Sequence, residues 1–239
     1  LKLRILKNDA PLDGVVFPLE IYRAPIVFMH GFWGGSETFE NFRDKLITDN
    51  LYPANVSYLK KNIFNNAYNS LGVPVLFATQ DAKDKEIFYN PLMHLVNYKK
   101  TNGSHFRVNA EQNIVAHSID SVFKTARESK FSCGNVILIG HSMGGILSRL
   151  YLQSTYYYDS YKVAKYRSDI QKLITINSPH FGTQFGNYVL DNINNPLLAA
   201  FVILGESLFS KLDVIDDFRV DSKELNTYLN IPIINQNKV

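Results

Sequence analysis

The sequence predicts an α/β fold built on a mostly parallel, doubly wound sheet, and three observations carry that prediction. Near-continuous apolar runs recur at "PIVFM", "VILIG" and "KLITI". A segment with helical apolar spacing follows the first two runs. Strands buried on both faces read as unbroken apolar runs, whereas half-exposed strands alternate, so the pattern points to a sheet with helices on both sides.

Taken in order, "LKLRILK" and "VVFPLEIY" alternate and are separated by the turn-like "NDAPLDG". They are expected to form an antiparallel edge of the sheet. The buried strand at Ile26 to Met29 leads into a glycine-rich loop. A helix is expected from Ser36, with Phe39, Phe42, Leu46 and Ile47 on one face. "YPANVSYL" reads as the next strand. Residues 60–104 are rich in Asn, Tyr and Lys and are read as an insertion, since a connection of that length usually has a role of its own.

Asn109 is expected to cap a long helix, with Gln112 completing a capping box and Ile114, Val115, Ile119, Val122 and Phe123 on its apolar side. "NVILIG" is a buried strand, "GILSRLYLQSTYYY" a helix, and "KLITINSPHFGT" a further buried strand ending in a loop. Residues 187–228 are helical in pattern, broken by Pro196 and Gly205, and are read as a helical cap; "IPIINQ" is expected to be a last strand. The whole, 1–239, is read as one domain.

The 46% apolar and 20% charged fractions are those of an ordinary globular chain. The net charge is +3 and the basic residues are scattered, which argues against a nucleic-acid partner. The lone Cys133 excludes an internal disulfide and a cysteine-based zinc cluster, and no metal or cofactor is implied. The longest apolar run, "LLAAFVIL", is too short to span a bilayer. Compartment stays undetermined, with an exported or cell-surface setting favoured over the cytoplasm.

"GHSMG" places Ser142 between a strand and a helix, the context that a G-x-S-x-G nucleophile elbow requires. Gly140 and Gly144 would shape that sharp turn, because a side chain at either position would meet neighbouring backbone. The helix amino terminus after Ser142 would aim its free N–H groups at an oxyanion. The alternative reading is a glycine-rich turn that only positions the helix.

The blocks "PIVFMHGFWGG", "VILIGHSMGGILSRLYL" and "LITINSPHFGT" resemble the α/β-hydrolase superfamily of lipase and esterase type, in the manner of bacterial triacylglycerol lipases and of GPI inositol-deacylase-like hydrolases. "DDFRVDSKELNTYLNIPII" resembles more loosely the stretch that follows the cap in that family. The resemblance implies a serine hydrolase cleaving carboxylic esters of lipid-like acyl groups through an acyl-enzyme at Ser142. It implies backbone N–H groups of Phe32 and Met143 as the oxyanion hole. It also implies structural roles for His30, His141 and His180.

A serine needs a base and an orienting acid, which in this fold follow it in the order Asp or Glu, then His. After Ser142 the only histidine is His180. Three explanations stay open. The acid and histidine lie beyond Val239, with the C-terminal part of the fold; or the chain is catalytically silent; or His180 serves as the base with Asp191, Asp213, Asp216 or Asp217. The first is preferred, because a sheet ending after "IPIINQ" would expose an apolar edge. The implied partners are an ester substrate and further domains of a longer protein. The rival functions are a non-catalytic interaction module on the same fold and an amidase or thioesterase.

Overall fold

The computed structural model describes residues 2–7, 10–18, 24–49, 93–128, 132–154, 163–192, 194–196 and 213–230. Among the described residues, strands β3 (Ile26–Met29), β4 (Met93–Val96), β5 (Val136–His141) and β6 (Ile170–Ile176) form a four-stranded sheet in the order β4-β3-β5-β6. Every neighbouring pair in it is parallel. The helices among the described residues are α1 (Glu40–Thr48), α2 (Phe106–Glu111), α3 (Ile114–Glu128), α4 (Met143–Leu152), α5 (Gln184–Asp191) and α6 (Val214–Asp217). A 3-10 turn precedes α1 at Ser36–Phe39, and a π-type turn covers Leu225–Leu229.

The doubly wound reading rests on how successive strand residues are buried. In β3, Val27 and Met29 join the core formed with α2, α3 and α4, while Ile26 and Phe28 join a second core with Phe39 and Leu46. All four β3 side chains are therefore removed from water, two on each face, which is why the run carries no polar alternation. In α3, Ile114, Val115, Ile119 and Val122 are each 5% exposed or less. Burying such a side chain contributes about 1.5–3 kcal/mol, against a helix-propensity cost of at most about 0.7 for a β-branched residue. Burial wins, so the stripe is helical despite its isoleucines and valines.

Several expectations are corrected. β1 (Lys2–Lys7) and β2 (Ala10–Pro18) are antiparallel, but among the described residues they form a two-stranded sheet of their own with no ladder to the central one. Alternation reveals a pairing but not the partner. The stretch 60–104 contains β4, a full member of the sheet, so its last part is core and not insertion. The run "MHLV" is too short for periodicity to separate a strand from a helical turn.

The long helix starts elsewhere than at Asn109, which lies inside α2 with its amide donating to the carbonyls of Ser104 and His105. Asn113, at φ 55°, ends α2, and its carbonyl accepts the His117 N–H as α3 begins. An asparagine tolerates that left-handed position better than most residues, so one residue serves as both stop and start.

β6 is mostly exposed instead of buried: Ile174 and Ile176 are 41% and 39% exposed, since among the described residues it is bonded only to β5. The strands read at "YPANVSYL" and "IPIINQ" and the central part of the 187–228 cap lie outside the described residues.

Candidate active site at the strand-to-helix elbow

The centre of the site is the step from β5 into α4. Ser142 stands between them at φ 52°, ψ −124°, a conformation that costs a residue with a side chain roughly 1–3 kcal/mol. Its N–H donates to the Ile176 carbonyl at 2.9 Å, continuing the β5–β6 ladder, and its carbonyl accepts the Gly145 N–H at 3.1 Å, opening the helix. One residue therefore closes the sheet and begins the helix.

Glycine is obligatory on both sides of it. A methyl on Gly140 would lie 2.4 Å from the Gly145 nitrogen, and one on Gly144 would lie 2.2 Å from the Met29 carbonyl oxygen. α4 thus rests directly on the carboxyl end of β3. Met143, fully buried, opens α4, so its N–H belongs to the first turn, which has no partner inside the helix.

The loop after β3 passes against the serine, where a Cβ on Gly31 would be 2.7 Å from that of Ser142. Its shape is set by His30, which is fully buried. The His30 Nδ1–H donates to the Gly31 carbonyl at 2.9 Å, and Nε2 accepts the Tyr98 N–H at 3.1 Å. Those two bonds define the neutral tautomer. Burial pushes the ring's pKa down to about 4, the Gly31 hydrogen bond opposing it only in part. Tyr98 stacks on the ring at 4.0 Å and donates its hydroxyl to the His30 carbonyl.

The Gly31 carbonyl also accepts the Gly34 N–H at 3.1 Å. Two donors hold that oxygen, and because the following peptide is trans, the Phe32 N–H points the opposite way. Asn102, fully buried, ties the far end of the loop by donating to the Gly34 carbonyl at 3.1 Å. The Phe32 ring lies on Trp33 at 4.6 Å and against Phe218 at 6.1 Å.

The remaining predicted residues fall as follows. His180 Nε2 meets Thr175 Oγ1 at 3.1 Å, and among the described residues no hydrogen bond joins it to Ser142 or to an aspartate. Burial, assisted by the Arg149 charge, lowers its pKa. Asp191, Asp213 and Asp216 are exposed. Asp217 is buried and bonds to His105 Nδ1 at 3.0 Å and to the Phe106 N–H, with its pKa raised to about 6 by burial against those two bonds. The in-chain pairing of His180 with one of these aspartates is not formed.

Tyr98, Asn102 and the His105–Asp217 pair were missed by sequence reasoning. The tyrosine and asparagine sit in the stretch read as insertion, and nothing local marks either as a clamp on a loop 68 residues away. The cleft lined by Asn113, Ile114, Leu147, Tyr151 and Val163 includes none of the elbow residues. Among the described residues no group of side chains could hold a metal ion, and no helix is long and apolar enough to cross a membrane.

A parallel sheet with a strained serine at a strand-to-helix elbow, beside an HG loop, defines an α/β-hydrolase fold of lipase and esterase type. The chain belongs to the PGAP1-like alpha/beta domain family, which it matches over residues 20–195. Its fold is similar to that of the mature form of Bacillus licheniformis lipase BlEst2, with a TM-score of 0.51 and 16% identity. That likeness covers 90% of this chain and 64% of the lipase, so the chain spans under two thirds of that relative's length. The propeptide form of the same lipase gives a TM-score of 0.47 at 17% identity, covering 85% of this chain and 32% of that one. No curated protein matches the chain.

Proposed function

We propose that this chain carries the nucleophile of a serine hydrolase acting on carboxylic esters with lipid-like acyl groups. The observation that carries the reading is Ser142 at φ 52° between β5 and α4, with Gly31 packed against it. Strain of this kind persists only where surrounding structure enforces it, and it recurs at catalytic positions.

In this reading the Ser142 hydroxyl oxygen bonds to the ester carbonyl carbon while its proton passes to a histidine. The carbonyl oxygen takes the negative charge, which the Phe32 and Met143 N–H groups hold. Collapse expels the alcohol, which takes the proton from the imidazole, and water then releases the acid from the acyl-enzyme by the same steps. One such donor is worth about 3–4 kcal/mol in the transition state, enough to justify two clamps on the oxyanion loop. The histidine and its acid are proposed to lie beyond Val239. The trans peptide held by His30 and Gly34 supports the role of Phe32. Exposed Phe181, Phe185 and Tyr188, on the loop after β6 and on α5, support an apolar acyl group.

Fluorophosphonate labelling with the modified residue found by mass spectrometry tests the reading. It would use this chain, its Ser142→Ala variant, and a chain extended past Val239. Labelling at Ser142 only in the extended chain is the expected result. Labelling in the short chain would refute the placement of the histidine, and silence in both would leave an interaction module on a hydrolase fold.

A further inference from the structure

We infer that Asp217 is a positioning residue for the oxyanion loop, acting through the Phe218 ring that it anchors against Phe32. This rests on the hydrolase reading above.

Asp217 ends α6 and is 3% exposed. Its carboxylate accepts His105 Nδ1 on one oxygen and the Phe106 N–H on the other. The Val214 N–H donates to the Gly103 carbonyl at 3.1 Å, so both ends of α6 are fastened to the segment entering α2. A buried side chain bonded to two partners is held firmly, since releasing either bond leaves a buried polar atom unsatisfied.

The next residue, Phe218, is wedged by this anchor. Its ring meets Phe106 edge-on at 5.1 Å on one side and Phe32 at 6.1 Å on the other. Its carbonyl accepts the Thr183 N–H at 2.7 Å, from the loop that follows β6. The junction therefore touches the oxyanion loop and the loop beside the elbow at once. No hydrogen bond joins His105 to Ser142, so the pair acts by holding Phe218 in place and takes no part in proton transfer.

Misplacing one oxyanion donor affects the transition state and leaves ground-state binding nearly untouched, so the signature is a loss in kcat with KM preserved. In the full chain, with a short-chain p-nitrophenyl ester, Asp217→Ala is expected to lower kcat by about tenfold or more and to change KM by less than about twofold. Asp217→Asn keeps an oxygen for the Phe106 N–H and a donor that neutral His105 Nδ1 can accept, so it should restore most of the lost kcat. Phe218→Leu leaves the carboxylate bonds in place and removes the ring, so it should also lower kcat. It keeps the test open should Asp217→Ala fail to fold.

The Phe32 amide resonance, followed by 15N-edited NMR, should move in Asp217→Ala and Phe218→Leu and return toward its original position in Asp217→Asn. Unchanged kcat and an unmoved Phe32 resonance in Phe218→Leu would overturn the inference. Equal losses in Asp217→Ala and Asp217→Asn would do so as well. Absence of both turnover and Ser142 labelling in the unmodified protein would instead refute the hydrolase reading, and with it the catalytic meaning of the clamp. The Phe32 resonance would then still decide whether Asp217 controls that loop.

Discussion

His30 offers a quantitative test of how the loop beside Ser142 is held. Its ring is buried and neutral, with a pKa of about 4 in place of 6.5. A folded-state pKa below the unfolded value means that the unfolded chain takes up the proton first. The stabilising contribution is therefore fully present above pH 6.5 and is lost as pH falls through about 4. Integrating between pH 7 and pH 4.5 gives a loss of roughly 2–3 kcal/mol, a large share of a typical total of about 5–15.

Asp217 works in the opposite direction, because its pKa is raised from 3.8 to about 6, and it favours folding as pH falls through that window. The total pH curve therefore conceals both effects, and a difference is needed. His30→Gln keeps one donor for the Gly31 carbonyl and one acceptor for the Tyr98 N–H but does not titrate. It loses the stack on Tyr98, a cost of about 0.5–1.5 kcal/mol that does not depend on pH.

Urea unfolding of both proteins, followed by the fluorescence of the single tryptophan, Trp33, at pH 7 and pH 4.5, isolates the term. The unmodified protein should lose roughly 2–3 kcal/mol more than His30→Gln between the two pH values. If both proteins lose the same amount within about 0.5 kcal/mol, burial does not hold His30 neutral and the reasoning fails.

Three further outcomes are expected. Gly144→Ala puts a methyl 2.2 Å from the Met29 carbonyl oxygen, a backbone atom that cannot move aside, and should cost more than about 3 kcal/mol in a thermal or urea melt. Ser142→Gly should abolish labelling yet raise stability by about 1 kcal/mol by releasing the φ 52° strain; a lower melting temperature would contradict the strain. Tyr151→Phe removes the hydroxyl that donates to both oxygens of buried Asp169, at 2.9 Å each, leaving Arg167 as that carboxylate's partner. It should cost about 1.5–3 kcal/mol, and a double-mutant cycle with Asp169→Asn should show coupling between the two.

The sequence by itself determined what depends on local order. Unbroken apolar runs identified β3 and β5, because a strand covered on both faces has no polar period, and they located β6 as a strand while misjudging its burial. G-x-S-x-G located the elbow, since the turn from β5 to α4 leaves no room for side chains at Gly140 or Gly144, and that exclusion is written in the residues themselves. The tertiary structure alone decided what depends on distant neighbours. "MHLV" became a sheet strand only by pairing with β3, and Tyr98, two residues after it, thereby reached His30. Asp217 met His105 across 112 positions of chain, a contact that no spacing rule anticipates. Strand periodicity is a property of a segment, whereas a clamp needs two segments brought together, and only the packed sheet and helices do that.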